Sequence, residues 1–218
     1  MKVIVTGASG MVGEGVMLEC LNNAQVEQVL VVGRRPCGTT HPKLKEIIHK
    51  DFYDLTPIEN ELKGYDACFF CLGTTSLGLS EAEYSKISYT LTLNFANTLC
   101  KLNSNMTFCY VSGAGTSGNE NAKNMWIRVK SKTENDLQKL PFKQVFNFRP
   151  ALMTPTKGMK NTQKIYYAFG WLIPVVKLFS SNLVLSLIQV GKAMINSVSK
   201  GYNKTALEVS DIRALSEK

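Results

Sequence analysis

The sequence predicts an α/β fold, a doubly wound parallel sheet with helices on both faces and a small helical lid at its C-terminal end. Three observations predict it. Apolar runs of strand length alternate with helix-period segments through the first 150 residues, a glycine turn joins the first run to the first helix, and the pattern changes after Arg149-Pro150. Unbroken apolar strands are what a parallel sheet covered on both faces requires.

Each element has its own signal. "KVIVT" is a β-branched strand, and "MVGEGVMLECLNN" is a helix with apolar residues at Val12, Val16, Leu18 and Leu21, ending at Asn22-Asn23. "EQVLVVG", "KEIIHKD" and "YDACFFCLG" are the next three strands, each ending in polar or glycine-bearing residues where a parallel strand meets a loop. Ser80 to Leu102 is a helix: Ser80 and Glu83 form a capping box, and Ile87, Leu91, Phe95 and Leu99 recur every fourth position. "MTFCYVS" is the fifth strand, Ala122 to Leu140 a helix stopped by Pro141, and "FKQVFNFRP" the sixth strand. Beyond it "ALMTPTKG" is a loop, Lys164 to Phe179 and Leu183 to Ser197 are helical, and "TALEVSDIRALSEK" is a short strand or turn with a closing helix. One domain of residues 1–218 is expected, with 151–218 as a lid on the substrate side.

Composition narrows the function. Apolar residues make up 44% of the 218, enough for a sizeable core, and neither low-complexity tracts nor internal repeats interrupt them. The net charge of +8 is scattered: Arg34-Arg35 is the sole arginine pair, Lys157, Lys160 and Lys164 cluster loosely, and no basic run is interleaved with aromatics. A solvated surface explains it better than a nucleic-acid partner does. Six cysteines and an N-terminal apolar run too short for a secretory core point to reduced thiols and a cytoplasmic location. Cys68 and Cys71 lie three apart on a strand, so they face opposite sides and cannot share a metal or a disulfide. His41 and His49 have no companion at ligand spacing, and no metal site is expected. The longest apolar stretch, Ile165 to Val176, is too short to span a membrane. Gly170 and Pro174 within it argue against the continuous amphipathic helix that peripheral membrane contact needs.

The chemistry starts at "VTGASGMVGEG", between the first strand and the first helix. Gly7 permits the tight turn, Gly10 the approach of backbone to a diphosphate, and Gly13 the contact of helix with sheet, while Ser9, Met11 and Val12 complete a loop whose amides face an anion. A dinucleotide is the expected ligand. An NAD site wants a carboxylate at the end of the second strand, where this chain has Gly33-Arg34-Arg35, and guanidiniums there favour the 2′-phosphate of NADP(H) over NAD(H). Arg34 is the preferred ligand and Arg35 its companion. Asp51 and Phe52, after the third strand, are expected beside adenine, and Leu72, Gly73 and Thr74, after the fourth, beside ribose and phosphate.

"TGASGMVG", "VVGRR", "FFCLGTT", "YVSGAG", a lysine on the following helix and "FRP" occur in the order seen in atypical short-chain dehydrogenase/reductases. The sequence resembles the subgroup that includes the Tat-interacting protein and nucleoside-diphosphate-sugar-epimerase-like proteins, over residues 1 to about 153; beyond that only "VGKAMINSV" looks like a family helix. The resemblance implies a Rossmann fold, NADP(H) binding and a site at the carboxyl edge of the sheet.

In that superfamily a serine orients a carbonyl, a tyrosine moves the proton, and a lysine four residues later lowers the tyrosine pKa and holds the nicotinamide ribose. The resemblance gives the first and third roles to Ser112 and Lys130, whereas the tyrosine position holds Trp126, whose indole N–H does not ionise usefully. Trp126 is expected to wall the nicotinamide pocket. Two routes remain. Either another group supplies the proton (Tyr84, Tyr89, Tyr110, a lid residue such as Tyr166, or water held by Ser112 and Lys130), or hydride transfer is lost and the fold keeps NADP(H) as a ligand. The first gives an oxidoreductase or epimerase-like enzyme on a small carbonyl or hydroxyl substrate. The second gives a regulator that meets a protein partner or a second copy of itself.

Overall fold

Successive residues of a strand point to opposite sides of a sheet, and here both sides are apolar. The structure is a computed structural model that describes residues 1–156, 158–161 and 183–218. Its main sheet is built from β1 (Lys2–Thr6), β2 (Gln28–Gly33), β3 (Leu44–Ile48), β4 (Ala67–Phe70), β5 (Thr107–Val111) and β6 (Gln144–Phe148). β7 (Leu152–Thr154) and β8 (Val184–Ser186) form a separate parallel pair, and β9 (Ala206–Leu207) joins the main sheet beside β6. The order is β3-β2-β1-β4-β5-β6-β9 and every pairing is parallel. The chain winds outward from β1 to β3, then crosses back to β4 on the other side of β1. That reversal opens a crevice above the carboxyl ends of β1 and β4.

The helices are α1 (Met11–Asn22), α2 (Glu81–Ser85), α3 (Leu91–Leu102), α4 (Met125–Leu137), α5 (Leu187–Lys200) and α6 (Val209–Ser216). One face of the sheet buries Val3, Val5, Val29, Val31 and Phe69 against α1, α5 and α6, through residues such as Val16, Val190 and Ile212. The other buries Ile4, Leu30, Val32, Cys68 and Phe70 against α3 and the end of α4, through Leu91, Phe95, Leu99 and Leu137. Cys68 therefore lies on one face while Cys71 packs on the other, and all six cysteines are free. At about 25 cal/mol per Å² of apolar area removed from water, these two layers are the main source of stability. α1 and α5 approach closely because both present glycine: a Cβ on Gly15 would come within 2.6 Å of Leu187, and one on Gly191 within 2.6 Å of Glu19.

The structure modifies several expectations. The Ser80–Leu102 helix begins with its capping box, but Lys86–Thr90 is a π-helical turn between α2 and α3. Tyr84 and Ser88 face inward there, and Ile87, expected on the apolar stripe, is only half-buried. The Ser88 carbonyl takes hydrogen bonds from the hydroxyls of Thr92 and Thr133, both at 3.1 Å. α4 starts at Met125, later than expected, because the Ala122 and Lys123 carbonyls accept from Arg128 Nη1 at 2.6 and 2.7 Å and stay outside the helix. The loop expected over "ALMTPTKG" contains β7, and the helix expected from Leu183 starts at Leu187, after β8. The tail does more than cover the sheet. β9 extends it, and α5 and α6 complete one of its faces. The Lys164–Phe179 helix and Tyr166 lie outside the described residues.

Candidate functional site

α1 begins in the crevice without a side-chain cap, whereas α2, α5 and α6 each start with a capping box. Uncapped amides at a helix start can receive an anion. The loop before it is shaped by two glycines. Gly7 has φ +71°, and a Cβ there would lie 2.8 Å from the Cys71 carbonyl; a Cβ on Gly13 would lie 2.3 Å from the Gly7 oxygen. Gly10 differs, since a Cβ there would meet nothing closer than the Gly7 oxygen at 3.4 Å, an ordinary contact. Gly73, across the crevice, has no atom within 4 Å of such a Cβ and no positive φ. At both positions the protein itself does not demand glycine, as fits a ligand that passes close to backbone.

One cavity of about 1160 Å³ runs along this edge. Gly7, Ser9, Gly10, Met11, Val12 and Gly13 form its floor, with Leu72, Gly73 and Thr74 opposite. Arg34 and Arg35 line one end, and Ser112 and Lys130 the other. Asp51 and Phe52, expected beside adenine, do not line it. Phe52 is buried and stacks on Phe95 with centroids 5.7 Å apart, because the β3 exit feeds it into the core, and Asp51 accepts from the Tyr53 amide at 2.9 Å. Lys50, which sequence reasoning passed over, lines the cavity instead, as do Cys71, Thr75 and Val111. Among the described lining residues there is no aspartate or glutamate.

The far end is a network of satisfied groups. Lys130 Nζ donates to the carbonyls of Val111 and Ser112 at 3.1 and 3.2 Å and lies 5.2 Å from the centroid of the Tyr110 ring. Burial pushes its ammonium down to about 8, with the Glu134 carboxylate opposing. Ser112 is buried at the end of β5, its amide bonded to the Phe148 carbonyl at 2.7 Å and its Oγ 3.4 Å from Thr116 Oγ1. Thr116 Oγ1 lies 2.8 Å from Glu134 Oε1, and Glu134 is paired with Arg149, which also reaches Glu208 at 2.9 Å. A buried ion pair thus underlies the serine turn. Behind the glycine loop, Glu14 is also buried. Its two carboxylate oxygens accept from the Lys160 and Asn161 amides, both at 2.7 Å, clipping the segment after β7 to α1.

Trp126 does not wall this cavity. Its ring packs on the turn after Ser112, 3.5 Å from where a Gly113 Cβ would lie, and it is not a lining residue. Tyr84 and Tyr110 are buried and burial raises both phenols, while Tyr89 donates to Asp136 at 2.8 Å. None of the three lines the cavity. Among the described residues, no group of three histidine, cysteine or acidic side chains could hold a metal, and no helix is long and apolar enough to cross a membrane.

Comparison with known proteins points the same way. Protein FMP52-1, mitochondrial, of Scheffersomyces stipitis is 28% identical over 171 residues, 76% of this chain and 74% of the relative. Protein HTATIP2 of Rattus norvegicus is 24% identical over 210 residues, 94% of this chain and 85% of that protein. The UDP-glucuronic acid 4-epimerase from Bacillus cereus in complex with NAD shares the fold, with a TM-score of 0.67 at 14% identity, covering 98% of this chain and 81% of that one. The pattern that describes the NAD dependent epimerase/dehydratase family matches residues 3–144, from β1 through the glycine loop to the first residue of β6. A match of that extent, across the strands that frame the crevice, makes this chain a member of the NAD dependent epimerase/dehydratase family.

Proposed function

We propose that the chain binds NADP(H) in this cavity and uses it as an oxidoreductase or epimerase-like enzyme on a small carbonyl or hydroxyl compound. The observation that carries the reading is the charge of the lining: Arg34, Arg35, Lys50 and Lys130 contribute cations, and none of the described lining residues is a carboxylate. A ribose 2′-hydroxyl calls for an acid at the end of β2, whereas a 2′-phosphate calls for guanidiniums. The α1 amides hold the diphosphate, Gly10 and Gly73 leave room for it, and Lys130 holds the nicotinamide ribose. A bound nicotinamide supplies hydride transfer. Ser112 holds the substrate oxygen at the mouth of β5.

A second reading, a non-catalytic NADP(H)-binding module, has an observation of its own. Trp126 stands four residues before Lys130, in place of the ionisable phenol, and no described tyrosine reaches the cavity. The cytoplasm is the proposed location, in keeping with six free cysteines, and the name of the Scheffersomyces stipitis relative supplies the competing compartment.

Two experiments test these readings. NADPH at up to millimolar concentration should raise the melting temperature of the purified protein, and no shift would remove the dinucleotide from the account. Trp126→Tyr, assayed by NADPH consumption against a panel of small aldehydes and ketones, should increase turnover if the protein is an enzyme. Bound NADPH with no turnover in either form favours the module.

A further inference from the structure

We propose that Lys50 is a specificity-determining contact for the 2′-phosphate, the third cation of a clamp completed by Arg34 and Arg35. The inference rests on the NADP(H) reading above and adds a contact from a different strand. Gly33 pairs with Ile48, and the His49 amide donates to the Gly33 carbonyl at 2.9 Å, so the chain leaves β3 beside the chain leaving β2. Lys50 thus emerges next to Arg34, and both line the cavity.

The backbone that carries Lys50 is fixed, while its ammonium has no partner among the described residues. Phe52, two residues on, is buried against Phe95, and Asn94 Nδ2 donates to the carbonyls of Phe52 and Tyr53, both at 3.0 Å. The ring of His49 is bonded to the Asp54 carbonyl at 2.7 Å. The nearby acids are engaged elsewhere, Asp51 by the Tyr53 amide and Glu46 by the Cys37 amide at 2.7 Å. Among the described residues, the side chains of Arg34, Arg35 and Lys50 have no hydrogen-bond or ion-pair partner. Three cations on two strand ends, unpaired among the described residues and with no carboxylate among the described lining residues, match a phosphate dianion. The guanidiniums grip its oxygens as planar forks, and the lysine adds a point charge from a second direction.

The test uses adenosine 2′,5′-bisphosphate and adenosine 5′-monophosphate, which differ only by the 2′-phosphate, titrated calorimetrically into the full chain at low and high salt. Lys50→Ala should weaken the bisphosphate about five- to tenfold and the monophosphate less than about twofold. It should also flatten the salt dependence of bisphosphate binding, which Lys50→Arg should retain. Bisphosphate binding that Arg34→Ala weakens and Lys50→Ala leaves unchanged would overturn the clamp and spare the NADP(H) reading. Wild-type protein that binds neither the bisphosphate nor NADPH would overturn both.

Discussion

The two ends of the cavity are built on opposite plans. At the Arg34 end, α1 starts without a cap and the side chains of Arg34, Arg35 and Lys50 have no partners among the described residues. At the Ser112 end the polar groups already have protein partners: Lys130 bonds two carbonyls, Ser112 approaches Thr116, and Glu134 is paired with Arg149. Groups left unpaired await something charged, and groups already paired hold a shape. The proposed function therefore asks one end to bind and the other to position.

The largest effect should come from breaking the shape-holding end. Glu134→Gln leaves the buried Arg149 guanidinium short of its main partner, at a cost of about 3–5 kcal/mol in urea unfolding. A loss below about 1 kcal/mol would mean that the pair contributes little to the serine turn. Next is Gly13→Ala, which forces a methyl to within 2.3 Å of the Gly7 oxygen. It should cost about 1–3 kcal/mol and abolish NADPH binding, and a variant that binds normally would show that the loop can move aside.

Arg34→Ala probes the binding end and should weaken NADPH about tenfold, or about 1.4 kcal/mol, with little change in NADH. Equal losses for both would move the 2′-phosphate contact elsewhere. The remaining test reads a slope with pH rather than a loss of binding. Burial places the Lys130 ammonium at about 8 in the folded chain against its ordinary 10.5, so the unfolded chain binds that proton more strongly between these values. Folded stability then rises with pH across that window. Lys130→Met lacks that gain, so wild type should improve relative to the variant from pH 8 to 10.5. Parallel stability curves would place the lysine in water.

Local signals made most of this fold legible. The strands were marked by unbroken apolar runs, the glycine loop by its place between strand and helix, and the long helix by Ser80 and Glu83. What escaped depends on contacts distant in sequence. β7 and β8 are three residues each and pair across about thirty residues, so no local period marks them, although Ser186 and Gln189 form the capping box that fixes the true start of α5. Lys50 has no local signal because its place in the cavity lining follows from the register of β3 on β2. Trp126 was legible as a missing phenol, but its packing on the Gly113 turn needed the helix to be placed.

The central claim is that the crevice above β1 and β4 takes a dinucleotide and selects it by its 2′-phosphate. Calorimetric titration of the wild-type chain with NADPH and with NADH, at one salt concentration, tests it most directly. One NADPH per chain, bound at least about tenfold more tightly than NADH, is the predicted result. Equal affinities, or no heat from either nucleotide, would contradict it.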